Sequence, residues 1–395
     1  MISKQEIYLD YQSGKPVDPE VLDAMKPYFL EDFGNPSSLH EPGDVASRAL
    51  EKARRDVARF INAGEAKEII FTSGATESNN LALIGYAMRN RKKGRHVIIS
   101  EIEHISIHNI AKYLQKQGFE ISKVPVDYTG KVRLEKLQER LREDTILISI
   151  QHANNEIGTI QPIREISNMA QEHGIAFHVD AVAAEGLVPI DVQAGGIDLL
   201  TLSSNDIYGP RGAGALYIKQ GVRVNPIIIG GGQERGLRSG TEDIASIVGF
   251  GKAARVIMER MPEEPSRLEK LRDYLIDNIL SHIPKAYLNG HPTDRLPNNA
   301  HFRFDWIEGE SILVNLKTLG VAVSTGSACS SKTLQASHTL ISLGLLHEEA
   351  HGSLEVTLGR WTTREEIDAF LEILPGVISR LRSLSPLTKM EELKE

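Results

Sequence analysis

The chain has 395 residues, 41% of them hydrophobic, and its 45 basic against 53 acidic side chains give a formal net charge of −8. Because domains usually contain about 100 to 200 residues, this length predicts two domains. The acidic balance argues against a predominantly nucleic-acid-binding surface. The single cysteine excludes an intramolecular disulfide and any thiolate metal cage built from this chain alone. A reducing, intracellular setting is therefore the simpler interpretation.

No part of the sequence has the composition of a membrane span or a signal peptide. Nowhere do about 18 apolar residues run together, as a spanning helix requires. The first residues, MISKQEIYLDYQ, lack an apolar stretch. We therefore expect a cytoplasmic protein that binds neither membrane nor nucleic acid.

Short β-branched runs alternate with amphipathic helical stretches from about residue 65 onward, which is the pattern of βαβ units. The strand-like runs are EIIFTS, HVIISEIEH, TILISIQHANN, and residues 175–182, 197–202 and 214–218. They predict an α/β fold with a mostly parallel sheet covered by helices on both faces. We assign this sheet to a large domain spanning residues 15–260.

The pattern changes after a charged stretch at residues 259–269. A helix, RLEKLRDYLIDNIL, precedes isolated strands, AHFRFDWI, VAVS and LEVTL, which are separated by helices. This predicts a smaller α+β domain made of residues 261–395 together with residues 1–14. We expect its last helix to begin with a capping box formed by Thr362 and Glu365.

The segment FTSGATESNN, residues 71–80, places small and hydroxylated residues between a strand and a helix. Free backbone amides and the positive end of a helix favour a phosphate at such a position. Turn geometry by itself also selects glycine and serine there. On the residues alone, an anion site and a simple turn stay equally open.

Three more polar positions follow predicted strands, where open α/β folds bind ligands. Asp180 is suited to pair with a protonated ring nitrogen, although an aspartate there is also a common helix N-cap. Asn155 offers amide donors or serves as a turn residue. His104 is suited to stack on an aromatic cofactor or to move a proton, but isolated histidines usually do neither.

Cys329 lies in STGSACSSK, a run of small polar residues that predicts a flexible loop rather than an apolar core position. A loop cysteine near a cation such as Lys332 has more thiolate character than a buried one. The alternative is an incidental surface thiol, but exposed free cysteine is rarely harmless.

Nine motifs, in this order along the chain, closely resemble the iron–sulfur-assembly cysteine desulfurases, the IscS/NifS type of class V aminotransferase. They are FGNPSSLH (33–40), FTSGATESNN (71–80), EIEH (101–104), NNEIGTIQP (154–162), HVDAV (178–182), IYGPRGAGALY (207–217), GGGQERGLRSGTE (230–242), STGSACSS (324–331) and LGRWTT (358–363). The resemblance implies a pyridoxal-phosphate (PLP) transferase of fold type I, with a mostly parallel seven-stranded sheet, that forms a homodimer. The cysteine loop, about residues 324–336, would belong to the smaller domain.

The resemblance also implies a role for single residues. Cofactor contacts would come from Ala75, Thr76, His104, Asn155, Asp180, Ser203, Ser204, Asn205 and Thr241. The helix start at residues 75–76 and Ser203 would hold the phosphate, and Thr241 would reach the phosphate of the neighbouring subunit. His104 would stack over the ring, Asn155 would contact the ring oxygen or the substrate, and Asp180 would pair with the ring nitrogen.

The family reaction implies a transferase that converts L-cysteine to L-alanine and leaves a persulfide on Cys329, the nucleophile. The loop resembles those whose cysteine can travel to an iron–sulfur scaffold protein. Cys329 is then also a candidate thiolate ligand of a transient 2Fe–2S cluster shared with that scaffold.

Three positions depart from the family pattern. Asp206 stands where the family has the lysine that binds PLP as a Schiff base, and a carboxylate cannot form an imine. Ala183 stands where a glutamine bonds the ring oxygen. Glu355 replaces the arginine that grips the substrate carboxylate, which reverses a charge and opposes the usual substrate.

The same departures resemble a small set of archaeal desulfurase-like proteins that share SSNDIYGP (203–210) and a lysine-bearing N-terminal segment. In this sequence that lysine is Lys15, and we hypothesise that it replaces the missing amine as a base or imine former. PLP would then bind without the usual Schiff base. The alternative function is a catalytically impaired homologue that docks the scaffold and offers Cys329 as a cluster ligand.

Overall fold

The computed structural model describes residues 7–325, 336–386 and 388. Within them, the strands in chain order, β1 to β12, are Ile7–Tyr8, Ile69–Thr72, His96–Ser100, Glu120–Val124, Thr145–Gln151, Ala176–Asp180, Leu199–Ser203, Gly214–Ile218, Ala286–Asn289, Asn299–Phe304, Val321–Ala322 and Ser353–Thr357.

The helices of the described residues, α1 to α14, are Pro19–Met25, Pro27–Leu30, Glu41–Phe60, Ala75–Asn80, Tyr86–Asn90, Ile105–Lys116, Leu134–Gln138, Ile163–Glu172, Ile244–Arg260, Glu264–His282, Gly309–Thr318, His338–Ser342, His347–His351 and Arg364–Leu384. A π-helical turn, Leu81–Gly85, joins α4 to α5. None of the helices in these ranges is both long and apolar enough to cross a membrane.

The seven-stranded sheet has the order β2-β8-β7-β6-β5-β3-β4. The five strands from β7 to β4 are parallel to one another, whereas β8 is antiparallel to both of its neighbours, β7 and β2. The prediction of an α/β fold with a mostly parallel seven-stranded sheet is therefore confirmed. Because β8 is antiparallel to both β2 and β7, those two strands run in the same direction.

Both faces of this sheet are covered, as continuous apolar strands predict. In β3, Ile98 packs into the hydrophobic cluster on one face, while Val97 and Ile99 pack into the cluster on the other. This alternation is the two-residue period of a strand. The long helix α3 packs with α9 on the first of these faces.

A second sheet holds the C-terminal part of the chain together. Its order is β12-β10-β9, all antiparallel, and its apolar side chains form a third cluster with α10, α11 and α14. The short strands β1 and β11 pair in parallel and bring the N-terminal segment beside this sheet. The boundaries of the two domains stay a prediction.

The predicted capping box of the last helix is wrong by one residue. The cap of α14 is Thr363, whose hydroxyl accepts from the amide of Glu366 at 3.2 Å, and the Glu366 carboxylate accepts from the Thr363 amide at 2.8 Å. The hydroxyl of Thr362 is already used, because it accepts from the Gly359 amide at 2.9 Å. A hydroxyl residue followed three positions later by an acid occurs at residues 362 and 365 and again at 363 and 366. The bond from the Gly359 amide to Thr362 decides between the two.

Candidate active site

The polar segments selected from the sequence meet at one edge of the seven-stranded sheet. Strands β2, β3, β5, β6 and β7 all run toward this edge. Their ends carry the start of α4, then His104, Asn155, Asp180 and Ser203. Carboxyl ends of parallel strands are the usual ligand-binding edge of such sheets. The fold thus brings together residues that lie more than a hundred positions apart in the chain.

Asp180 ends β6 and has both carboxylate oxygens fixed. Oδ2 accepts from Nδ2 of Asn79 at 2.8 Å, and Oδ1 accepts from the backbone amide of Val182 at 3.1 Å. The Asn79 amide also donates to the Ser106 hydroxyl at 3.1 Å. Asp180 is not a helix N-cap, because no helix begins after it in the residues up to β7. Its carboxylate is instead held in one orientation from a neighbouring helix.

His104 is the N-cap of α6. Its Nδ1 accepts from the amide of Ser106 at 3.2 Å and lies 2.8 Å from the hydroxyl of that serine. In the neutral imidazole the proton is then on Nε2. The ring is half-buried, and Ser106 links it to the Asn79 amide that holds Asp180. One hydrogen-bonded group therefore orients both the histidine ring and the aspartate.

The start of α4 is an open turn whose geometry depends on Gly74. This residue has φ of +147°, and a Cβ added to it would meet nothing within 4 Å. Ala75 and Thr76 are the first two helical residues, one half-buried and one exposed. Backbone amides at such a position are free to bind an anion. The structure therefore offers both the space and the backbone donors that an anion site at this segment needs.

Glu77 connects this turn to the glycine-rich segment. Its carboxylate accepts from the amide and hydroxyl of Ser73 at 2.8 and 2.5 Å and from Nε of Arg238 at 3.0 Å. Burial opposes the charge, but the hydrogen bonds from Ser73 and Arg238 lower the pKa of Glu77 below its ordinary value. The carboxylate thus holds residues 230–242 against the start of α4.

The residues after β7 form a buried turn. Ser203 is buried, and its hydroxyl bonds the Asp206 carboxylate. Ser204 is fully buried, and neither its hydroxyl nor the side-chain oxygen of Asn205 has a hydrogen-bond partner among the described residues. Unpaired buried polar atoms are rare in proteins. This turn therefore has unused hydrogen-bonding capacity.

Asp206 lies on a 3-10 turn, Asn205–Ile207, and is buried together with Glu185 and Lys15. Burial raises the pKa of Asp206 above its ordinary value, and the charge of Lys15 opposes the rise. Burial and the charge of Asp206 raise the pKa of Glu185 well above its ordinary value. At the position where the resemblance implies an amine, this chain therefore has a carboxyl pair and, from another segment, a buried lysine.

Glu355, on β12, belongs to a second group of buried acids. Burial, with Glu156 and Asp10 nearby, raises its pKa well above the ordinary value. His301 is its cross-strand partner on β10, and Nε2 of that ring lies 3.8 Å from Oε1 of Glu156. Burial thus disfavours the charged form of Glu355. The repulsion of the substrate carboxylate that the sequence predicted is therefore weaker.

The remaining predicted site residues have fewer contacts with the residues described above. Asn155 lies in the turn after β5, and its side chain has no hydrogen-bond partner among the described residues. Thr241 is exposed in the loop before α9. Ala183 is buried and packs in the cluster around the second sheet.

Cys329 and Lys332, and most of the predicted cysteine loop, lie outside the described residues. Within residues 7–325 and 336–386, no group of three His, Cys, Asp or Glu side chains is arranged to hold a metal ion.

Sequence reasoning did not single out Asn79 and Glu185. Asn79 sits in the predicted phosphate segment, but its bond to Asp180 joins residues 101 positions apart. Glu185 is an acid within the apolar stretch AVAAEGLV. Its position in that stretch is the signal from which a buried acid could have been predicted. A fully buried acid in such a stretch is unusual and calls for a partner. Its Oε1 accepts from the Ser203 amide at 2.8 Å.

The family model described as aminotransferase class-V matches residues 7–370. A curated relative, "Cysteine desulfurase IscS 1" of Archaeoglobus fulgidus, is 60% identical over 380 residues, which are 96% of this chain and 99% of the relative. Among solved structures, a chain titled "NIFS-LIKE PROTEIN" is 36% identical with a TM-score of 0.90 and covers 95% of this chain and 100% of its own.

A second solved structure, "SspA in complex with cysteine", is 35% identical with a TM-score of 0.80, covering 90% of this chain and 99% of its own. The similarity to these relatives extends over nearly the full length of each chain.

Proposed function

This chain belongs to the class-V aminotransferase family, among the cysteine desulfurases of the IscS/NifS type, and from that premise we propose that it is a PLP-dependent cysteine desulfurase. It converts L-cysteine to L-alanine and receives the sulfur as a persulfide on Cys329. The observation that supports this most strongly is the fixed carboxylate of Asp180, held by Asn79 beside the half-buried ring of His104.

The residues present fit PLP at three of its groups. Asp180 offers a fixed acceptor for the ring nitrogen, and His104 offers a ring for stacking. The open turn at Gly74, with the first amides of α4, offers donors and space for the phosphate. Ser204 and Asn205 add polar atoms that lack partners among the described residues. The covalent anchor does not fit, since residue 206 is a carboxylic acid.

The proposal assigns each residue a task. Ala75, Thr76 and Ser203 bind the phosphate, and Thr241 of each subunit contacts the phosphate of the other in a homodimer. Asp180 keeps the ring nitrogen protonated, and His104 holds the ring in place and is suited to move a proton through Nε2. Bound PLP supplies an electron sink for cleavage of the carbon–sulfur bond of cysteine.

Sulfur transfer needs a nucleophile, and Cys329 is the one thiol of the chain. Its thiolate attacks the sulfur of the bound cysteine, a new sulfur–sulfur bond forms as the carbon–sulfur bond breaks, and the carbon gains a proton to give alanine. Forming the persulfide oxidises the two sulfurs by two electrons, and the substrate carbon keeps that electron pair and takes up the proton as its bond to sulfur breaks, so no external oxidant is required. The acceptor that we propose is an iron–sulfur scaffold protein.

The alternative is a catalytically impaired partner whose Cys329 is a ligand of a 2Fe–2S cluster on the scaffold. The features in its favour are the departures from the family pattern at Asp206, Ala183 and Glu355. The names of the relatives give it no support, since they are named for desulfurase activity. We therefore keep desulfuration as the proposed function and treat cluster ligation as a secondary role of the same thiol.

Mass spectrometry after incubation with PLP and L-cysteine tests the proposal. Because the chain has one cysteine, the gain of one sulfur atom by the intact protein has to be on Cys329 or be noncovalent, and alkylation with peptide mapping separates the two. We expect the gain in the natural protein and none in Cys329→Ser. Absence of the gain at saturating PLP would rule out the proposed reaction.

A further inference from the structure

Hydrogen bonds hold the segment that carries Lys15 on both sides of that residue. The Tyr8 hydroxyl lies within hydrogen-bond distance of the carbonyl oxygens of Asp10 and Gly14, at 2.9 and 2.8 Å. At the other end, the Asp18 carboxylate accepts from Arg360 at 2.6 Å. Lys15 therefore has a defined position between two anchors.

The Lys15 side chain is buried within the protein, at 8% exposure for the residue. Its ammonium donates to the backbone carbonyl oxygen of Asp206 at 2.5 Å and lies 5.5 Å from the centroid of the Tyr208 ring. No other hydrogen bond of this ammonium is found in the part of the chain that the structure describes. A buried ammonium with one neutral acceptor is costly unless negative charges lie nearby.

The acidic groups that favour the charged form of Lys15 are, from largest to smallest effect, Asp206, Glu185 and Glu264. Burial lowers the pKa of Lys15, and the charges of Asp206 and Glu185 oppose that change. In turn, Lys15 opposes the rise that burial causes in the pKa of each of the two acids. Lys15, Asp206 and Glu185 come from three separate segments and form one buried group of ionisable side chains, which we call the Lys15 cluster.

The Lys15 cluster belongs to the candidate active site. Asp180 raises the pKa of both Asp206 and Glu185, and His104 lowers that of Asp206. Ser203 touches both acids, through its amide to Glu185 at 2.8 Å and its hydroxyl to Asp206. A phosphate held near Ser203 would therefore experience the field of these carboxylates, which repels an anion unless it is compensated.

We infer that Lys15 is the counter-charge of Asp206, and that this compensation is what allows the pocket to hold PLP without a covalent bond to the protein. Lys15 acts on the cofactor through Asp206, so it is a positioning residue. Its ammonium already binds the Asp206 carbonyl oxygen, which gives it a role different from the imine former suggested by the sequence. The inference rests on the proposed function, because it takes PLP to be the ligand.

A double-mutant cycle tests the compensation directly. PLP dissociation constants are measured by equilibrium dialysis for the natural protein, Lys15→Met, Asp206→Asn and the double variant. We expect Lys15→Met to weaken PLP about tenfold and the double variant to bind within about threefold of the natural protein, because both charges are then absent. Lys136→Met and Glu139→Gln, which break the exposed ion pair Lys136–Glu139, serve as a matched control cycle without an effect.

Two results would overturn the inference while the proposed function stands: natural-like PLP binding by Lys15→Met, or equal weakening in Lys15→Met and the double variant. If Lys15→Met does not fold, Asp206→Asn is compared with the double variant, and a tenfold difference between them counts against compensation. Borohydride reduction of the PLP-loaded natural protein should leave Lys15 unlabelled, and a pyridoxyl label on it would refute the noncovalent role. Failure of the natural protein to bind PLP would instead overturn the proposed function together with the inference.

Discussion

The amide of Asn79 donates to the carboxylate of Asp180 at 2.8 Å and so joins the first helix after β2 to the end of β6. Asn79 is almost completely buried, and its amide also holds Ser106, which orients His104. One side chain thus sets the position of two of the three groups that we expect around the PLP ring.

Replacing Asn79 with alanine should therefore weaken PLP binding. We expect the dissociation constant to rise about tenfold, because the Asp180 carboxylate loses a hydrogen bond to its neighbour and the link to Ser106 disappears. Equilibrium dialysis measures the change. Asn278→Ala is the control, since that amide bonds the Tyr274 carbonyl oxygen in α10. Equal PLP affinities of the natural protein and Asn79→Ala would contradict the role given to this side chain.

A lysine restored at position 206 should bind PLP covalently. We expect Asp206→Lys to show the visible absorbance of a PLP imine that survives gel filtration, because the substitution leaves the proposed phosphate and ring-nitrogen residues unchanged. Asp206→Asn removes the acid without adding an amine and should show no such band. A lysine variant that loses PLP during filtration would mean that the pocket differs from the family at more than its anchor.

The ion pair of Arg54 with Glu234 should be essential for stability. Two guanidinium nitrogens of Arg54 lie 2.7 Å from the two Glu234 oxygens, and Glu234 also accepts from the Phe71 amide at 2.8 Å. We expect Arg54→Met to lower the free energy of unfolding by about 3–5 kcal/mol, since it leaves a buried carboxylate unpaired. Urea denaturation measures this loss. Arg133→Met, at an exposed ion pair with Glu135, should cost less than about 1 kcal/mol, and similar losses in both variants would contradict the account.

Glu156 should make stability depend on pH. Burial raises its pKa from the ordinary 4.5 to about 7. A carboxyl group whose pKa is higher in the folded than in the unfolded state contributes stability below its unfolded pKa, and this contribution is lost as the pH rises through the folded value. Glu156→Gln should therefore flatten the fall in unfolding free energy between about pH 4.5 and about pH 7, by up to about 3 kcal/mol.

Chemical denaturation at a series of pH values tests this prediction for Glu156. The control is Glu139→Gln, at a solvent-exposed ion pair with Lys136, which should leave the pH profile of the natural protein unchanged. An unchanged profile in Glu156→Gln would show that this carboxyl group does not titrate in the expected range.

Much of the central sheet could be predicted from the sequence because its strands are continuous apolar runs. The edge strand β4, EISKV, was not predicted, since most of its side chains are only partly buried and it lacks such a run. The reversal of β8 also could not be predicted, because strand direction depends on how the chain connects in space. Only the structure shows that Arg54 reaches Glu234 across 180 positions.

The candidate site was predictable where a residue follows a strand, as His104 and Asp180 do. The partners of these residues were not, because Asn79 and Glu185 act through bonds between distant segments. From the sequence, Asp206 was predicted to remove the Schiff-base amine, and Lys15 was predicted to replace that amine as a base or imine former. The structure adds that both residues are buried and that the Lys15 ammonium donates to the Asp206 carbonyl oxygen.

Alanine release from L-cysteine, measured over a range of PLP concentrations, tests the central claim most directly. A cysteine desulfurase that binds PLP without a covalent bond should form alanine in proportion to the PLP that it holds, and Cys329→Ala should abolish multiple turnovers. The account predicts saturable, PLP-dependent alanine formation by the natural protein. No alanine at any PLP concentration would contradict it.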